Sequence, residues 1–169
     1  MEEHGIVPDV ISIAPKETVK VTFARGITVD HGNELKPIQV RDIPEVTWNA
    51  DAETFYTLCL IDPDAPGREH AIYRCWQHWL VVNIPGTKVV EGDTLSEYIG
   101  SGPGRDTGLH RYVFLVYRQN GRIDFDEKRS SKSCSREERR SFRTNEFAEK
   151  YQLGNPVAGN FYLTQWHDD

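Results

Sequence analysis

Three groups of residues in this chain have the types and spacing to do chemistry. The first begins at Asp62-Pro-Asp-Ala-Pro66, two carboxylates on a segment that its prolines make stiff and non-helical. Tyr73, Trp76, His78 and Trp79 follow within a few residues, so acids, an imidazole and aromatic rings gather between the apolar runs 55–61 and 80–82. That is the composition of a pocket mouth. The second group is the glycine-rich stretch 100–108, Gly-Ser-Gly-Pro-Gly-Arg-Asp-Thr-Gly, whose consecutive N–H groups could turn toward one point and form a concave nest for an anion. It leads into a strand and lacks both Gly-Lys-Ser/Thr and the dinucleotide fingerprint, so it is a plain turn or an anion nest rather than a nucleotide loop. The third group is the pair His78 and His110, each at the edge of an apolar strand. If those strands lie side by side, both imidazoles face one volume with Asp62. Two histidines and a carboxylate suit a metal triad or acid–base work on ligand types, but no i, i+4 spacing supports a metal and no activated Ser or Cys is evident. The plainer alternative makes each histidine a hydrogen-bonded structural residue and Tyr73, Trp76, Trp79 and Tyr112 core.

The elements that must position these groups read as mainly β. Strands are expected at 20–24, 35–41, 45–48, 55–61, 111–118 and 161–166, with a return at 123–125 across the Asn120-Gly121 turn. Pro37 puts the second of these at an edge. The run 55–61 is apolar on nearly every residue, as suits a strand covered on both faces. Single helical turns are expected at 9–13 and, capped by Asp93, at 94–99; a longer helix at 144–153 ends at Gly154. Residues 128–143, dense in Lys, Arg and Ser, read as a solvated surface loop with a capping box at Ser135-x-x-Glu138.

Composition bounds the function. A chain of 169 residues fits one domain, 1–169. Its formal net charge of −6 argues against a general nucleic-acid binder. Cys59, Cys75 and Cys134 are odd in number and lack CxxC spacing, which indicates neither a disulfide framework nor a zinc finger. The acidic N-terminus lacks the order of a secretion signal, and no apolar run approaches the ~20 residues of a spanning helix. These features predict a soluble, monomeric, cytoplasmic protein with at most peripheral membrane contact.

Taken together, Asp62-Pro-Asp-Ala-Pro66, the run from Tyr73 through Trp76 and His78 to Asn83, Gly100-Ser-Gly-Pro103 and Gly108-Leu-His-Arg-Tyr112 resemble the phosphatidylethanolamine-binding protein family, which includes the Raf kinase inhibitor protein. The similarity extends to Pro156-Val-Ala-Gly159, Phe161-Tyr162 and Trp166, in its animal form. It implies a large central antiparallel sheet, a smaller second sheet and a few short peripheral helices. It also implies an anion pocket built from Asp62, Pro66, Tyr73, Trp76, His78, Gly100, Gly102, Pro103, His110 and Tyr112, with Pro66 and Pro103 in cis bonds. Family members bind phosphoethanolamine, phospholipid head groups and other phosphate-bearing groups, and several regulate signalling kinases. The resemblance thus implies a non-catalytic binding protein without cofactor or metal. The alternatives are a hydrolase using Asp62, His78 and His110, or a pure interaction module such as a kinase or protease inhibitor that docks through 128–143. Three departures stand out: Gln77 replaces a second histidine, Gly104 replaces a second proline, and the sequence stops at Asp169, which predicts a wider mouth bordered by Trp166, Tyr73 and the Pro66 turn. If histidine charge contributes to binding, affinity falls as pH rises through ~6–7.

Overall fold

The computed structural model describes residues 1–168. Its ten strands are β1 (Glu17–Thr18), β2 (Lys20–Phe23), β3 (Ile27–Thr28), β4 (Asn33–Glu34), β5 (Glu45–Thr47), β6 (Phe55–Asp62), β7 (Trp76–Pro85), β8 (Asp93–Ser96), β9 (His110–Arg118) and β10 (Ala158–Thr164). Two short α-helices, α1 (Ile6–Asp9) and α2 (Thr144–Lys150), complete the regular structure. The large sheet has the order β1-β10-β9-β6-β7-β8, with β4 also on β10, and β3-β2-β5 form the small one. Neighbours from β10 to β8 are antiparallel, whereas β1 and β4 run parallel to β10, so the expected antiparallel sheet is mixed at one edge.

The unbroken apolar runs follow from burial on both faces. Along β6, Leu58 and Leu60 pack with Val21, Trp48 and Phe114 in one cluster with the small sheet, while Cys59 and Ile61 pack with Val113, Leu115 and Phe147 in another with α2. Alternate side chains of a strand point to opposite faces, and here neither face meets water.

Several local expectations are corrected. Residues 35–41 form a 3-10 turn, Pro37–Val40, because Pro37 lacks an N–H for a ladder and has the backbone angle of a first helical position. Residues 93–96 are a strand rather than a capped helical turn: Val81 and Val82 pair with Thr94 and Asp93, and the Asp93 carboxylate meets Arg129 at 2.9 Å. The first helix lies at Ile6–Asp9, ahead of the expected 9–13. No strand forms at 123–125, because the Asn83 side chain takes up both the N–H (3.0 Å) and the carbonyl (2.8 Å) of Ile123. Ser135 makes no capping bond to the single turn Arg136–Arg139 that follows it. Residues 128–143 are only partly solvated, since Ser130 and Arg139 are buried within them.

Candidate functional site

The two carboxylates of the 62–66 motif have different positions and different work. Asp64 is fully buried, and its Oδ2 accepts from the Arg111 backbone N–H at 2.8 Å and from Arg111 Nε at 2.9 Å, while Oδ1 meets Nη2 at 2.6 Å. Arg111 also reaches Asp9 at 2.7 Å, and Arg74 holds the same carboxylate at 2.6 and 2.7 Å. The Arg74 hydrogen bonds above all pull the Asp9 carboxyl down to about 2. This network clamps the N-terminal segment onto the ends of β6 and β9. Asp62 instead faces the interior of a cavity of about 440 Å³.

All ten residues of the expected pocket, Asp62, Pro66, Tyr73, Trp76, His78, Gly100, Gly102, Pro103, His110 and Tyr112, border that cavity. The strands carrying His78 and His110 are not neighbours; β6 lies between β7 and β9 and ends at Asp62, opening space beyond its end. The register of β6 on β7 slips there, with Leu60 opposite Trp79 and Ile61 opposite Gln77, so His78 is the extra residue of a bulge. Bulges bend a strand and re-aim side chains, and His78 comes within 5.2 Å of the Tyr112 ring. Tyr112 stacks between His110 and Tyr162.

Hydrogen bonds assign most of the polar atoms. Asp62 Oδ1 accepts from the Asp64 N–H at 2.8 Å and Oδ2 meets His110 Nδ1 at 2.8 Å, so each carboxylate oxygen is engaged. Thr107 Oγ1 lies 2.7 Å from Gly104 O, to which it can donate, and 2.8 Å from His110 Nε2. His78 donates from Nδ1 to Ile99 O at 2.8 Å. Burial pushes His78 down to about 4, with Asp62 opposing and Arg139 and His110 adding to the shift. At neutral pH its Nε2 is therefore an acceptor, and a loss of affinity through pH 6–7 does not come from this ring. Burial raises the Tyr112 hydroxyl well above its ordinary range, so it stays a proton donor. No three His, Cys, Asp or Glu side chains among the described residues are grouped to hold a metal.

The glycine loop works differently from a nest of left-handed residues. Gly100, Gly102 and Gly104 all lie outside positive φ. Gly100 is required because a Cβ there would sit 2.8 Å from Val40 O and 2.9 Å from Arg41 Cα, whereas a Cβ on Gly102 would meet nothing within 4 Å. The N–H groups of Gly100, Ser101 and Gly102 donate to no acceptor among the described residues. Ala65–Pro66 is cis as expected, but the cis bonds among the described residues are Val7–Pro8, Ala65–Pro66 and Arg74–Cys75, so Pro103 stands in a trans bond.

The part of the site that sequence reasoning missed is its basic wall. Lys132, Cys134, Ser135, Arg136, Arg139 and Arg140, all from the supposed surface loop, line the cavity. Trp166 does not line it and lies under the Arg105 guanidinium at 4.8 Å. Arg139 is 1% exposed, and all five of its N–H groups end on neutral acceptors: Gln77 O, His78 O, Ser130 O and Ser131 O at 3.0–3.2 Å, and Cys134 Sγ at 3.4 Å. It thereby ties the wall to β7. Arg140 lies 3.7 Å over the Tyr73 ring, and its buried Nε has no partner. The available signal was charge segregation: residues 128–143 hold seven Lys or Arg against two Glu in a chain whose net charge is −6.

A sequence model of the phosphatidylethanolamine-binding protein family matches residues 13–162. The chain belongs to that family. It is 39% identical over 168 residues to the putative odorant-binding protein A5 of Drosophila melanogaster, covering 99% of this chain and 80% of that one. It is also 44% identical over 161 residues to the 26 kDa secreted antigen of Toxocara canis, covering 95% of this chain and 61% of the antigen's length. Both relatives are animal proteins, in keeping with the animal form of the motifs. Among solved structures, the carboxypeptidase Y inhibitor in complex with its proteinase superposes with a TM-score of 0.82 at 26% identity, over 98% of this chain and 93% of that one. This is a family of proteins that bind small ligands or other proteins. The secreted relative overturns the cytoplasmic expectation. Unpaired cysteines were a poor guide, because burial pushes the Cys59 and Cys75 thiols up to about 12, and a buried thiol that stays protonated is inert in an oxidising medium too.

Proposed function

We propose that this chain is an extracellular binding protein whose cavity takes the phosphate of a phosphate ester and releases it unchanged. The observation that carries this reading is Arg139, a buried guanidinium in the cavity wall that no carboxylate hydrogen-bonds. A buried cation is costly unless an anion compensates it, and with its own donors all in use Arg139 acts on a ligand through its field. The unpaired N–H groups of Gly100, Ser101 and Gly102 are the donors for the phosphate oxygens. Asp62 serves His110 rather than the ligand.

A hydrolase is disfavoured by a competing acceptor: Asp62, His110 and Thr107 line up as an acid, an imidazole and a hydroxyl, but Thr107 Oγ1 also lies 2.7 Å from Gly104 O, which competes with His110 Nε2 for the hydroxyl proton. Extracellular placement also removes a cytosolic kinase as the first partner to test. A second reading, inhibition of a protease by surface docking, has support in the likeness to the carboxypeptidase Y inhibitor. Calorimetric titration with ethyl phosphate tests the first reading. Saturable binding in the range of ~0.1–1 mM is expected, since a small polar ligand gains little from burial. Gly102→Asp, which has open space for its side chain, is expected to weaken that binding at least tenfold by adding a carboxylate at the mouth. Equal affinity in the variant, or no binding by the native protein, would refute the reading.

A further inference from the structure

Resting on that phosphate reading, we propose that the ligand carries a second anionic group and that the cavity disfavours the ammonium of an ethanolamine head. An ammonium group needs either a free carboxylate or an uncovered aromatic face. The cavity lining offers neither. Its single carboxylate, Asp62, is 3% exposed and each of its oxygens already holds a hydrogen bond, one from the Asp64 N–H and one with His110. The Tyr73 face is covered by Arg140 at 3.7 Å, and the Trp76 face looks toward Arg139 at 5.8 Å with His78 at 4.5 Å.

The same wall has cationic capacity left over. Arg139 spends all its donors on the fold, but Arg140 keeps a buried Nε without a partner, and the side chains of Lys132 and Arg136 make no hydrogen bond or ion pair within the described residues. Two acids near this wall are drawn elsewhere, Glu138 to Lys128 at 3.1 Å and Glu97 to the Lys132 backbone N–H at 2.8 Å. One phosphate at the glycine loop leaves Lys132, Arg136 and Arg140 unanswered. A carboxylate or second phosphate on the same ligand offers them a partner in the same cavity. The ligand class is therefore a phosphate ester of an acid, and a zwitterionic phosphoethanolamine is the poorer fit in this member of the family.

Three ligands of matched size separate the cases: phosphoglycolate, with a carboxylate tail; ethyl phosphate, with a neutral one; and phosphoethanolamine, with an ammonium. Calorimetry at low salt is expected to rank phosphoglycolate about 5- to 10-fold tighter than ethyl phosphate, the scale of one or two partly exposed ion pairs, and phosphoethanolamine no tighter than ethyl phosphate. In the doubly substituted Lys132→Gln, Arg136→Gln protein, whose changed side chains are exposed, the phosphoglycolate to ethyl phosphate ratio is expected to fall toward one. Circular dichroism and the melting temperature establish that this variant is folded. Equal affinity for all three ligands, tighter binding of phosphoethanolamine, or an unchanged ratio in the variant each overturns the proposal while leaving phosphate binding intact. Failure of all three ligands to bind overturns the phosphate reading and this inference with it.

Discussion

Lowering the pH from 7.5 to 5 is expected to destabilise the native protein through His78, and the effect can be sized. Burial, reinforced by Arg139 and His110, holds the folded-state value at about 4 against an ordinary 6.5. Above 6.5 the ring is neutral in both states and contributes no pH dependence. As pH falls below 6.5 the unfolded chain takes up a proton that the folded protein refuses, so stability present at neutral pH is lost progressively toward pH 4. Each tenfold difference in proton affinity between the two states is worth about 1.4 kcal/mol, so the loss is on the order of 3 kcal/mol over the whole window and about 2 kcal/mol by pH 5. For a domain of this size that lowers the melting temperature by roughly 4–8 °C. The Asp9 carboxyl, at about 2 when folded, releases its own contribution only below this window. Scanning calorimetry of the native protein and of His78→Gln, whose amide can still donate to Ile99 O, isolates the histidine's contribution: the native melting temperature should fall by that much more than the variant's between the two pH values. Parallel pH dependence in the two proteins, or a directly titrated His78 near 6.5, would refute the reasoning.

Arg139→Met is expected to cost about 2–4 kcal/mol, since His78 O and Ser130 O keep other donors while the rest of the carbonyl cluster loses its cation; calorimetry should show a fall of roughly 5–15 °C, and a change under about 2 °C would contradict it. Gly100→Ala places a methyl 2.8 Å from Val40 O and is expected to lose about 1–3 kcal/mol in denaturant titration, while Gly102→Ala stays within about 0.5 kcal/mol. Of the three thiols, only the half-buried Cys134 should react promptly with a disulfide reagent in the native state, with Cys59 and Cys75 appearing on denaturation; prompt reaction of a second thiol would count against the burial argument.

Much of the fold was readable because β6, β7 and β9 each hold an unbroken apolar run, 58–61, 79–82 and 112–117, a pattern that double-sided burial imposes directly on sequence. Edges were misread where local chemistry was overridden. Asp93 has the type of a helix cap, but a ladder to Val82 and an ion pair with Arg129 claim it. Ile123 has strand character, yet one asparagine, Asn83, supplies the partners a strand would have supplied. The ten pocket positions converge on one cavity because their motifs are long and ordered. The bulge that aims His78 and the pairing that engages Asp62 are long-range facts that no spacing encodes. The basic wall was the larger omission: a run of Lys, Arg and Ser looks solvated in sequence, and only the five donors of Arg139, spent on β7 and its own loop, fold it over the cavity.

Titration of the ¹⁵N-labelled native protein with ethyl phosphate, followed through amide and arginine side-chain resonances, tests the central claim most directly. Saturable shifts centred on Gly100, Ser101 and Gly102, with smaller ones at His78, Tyr112 and Arg139, are the predicted result. Shifts that fail to saturate, or that fall on exposed charges away from the cavity and leave the glycine loop unmoved, would contradict it.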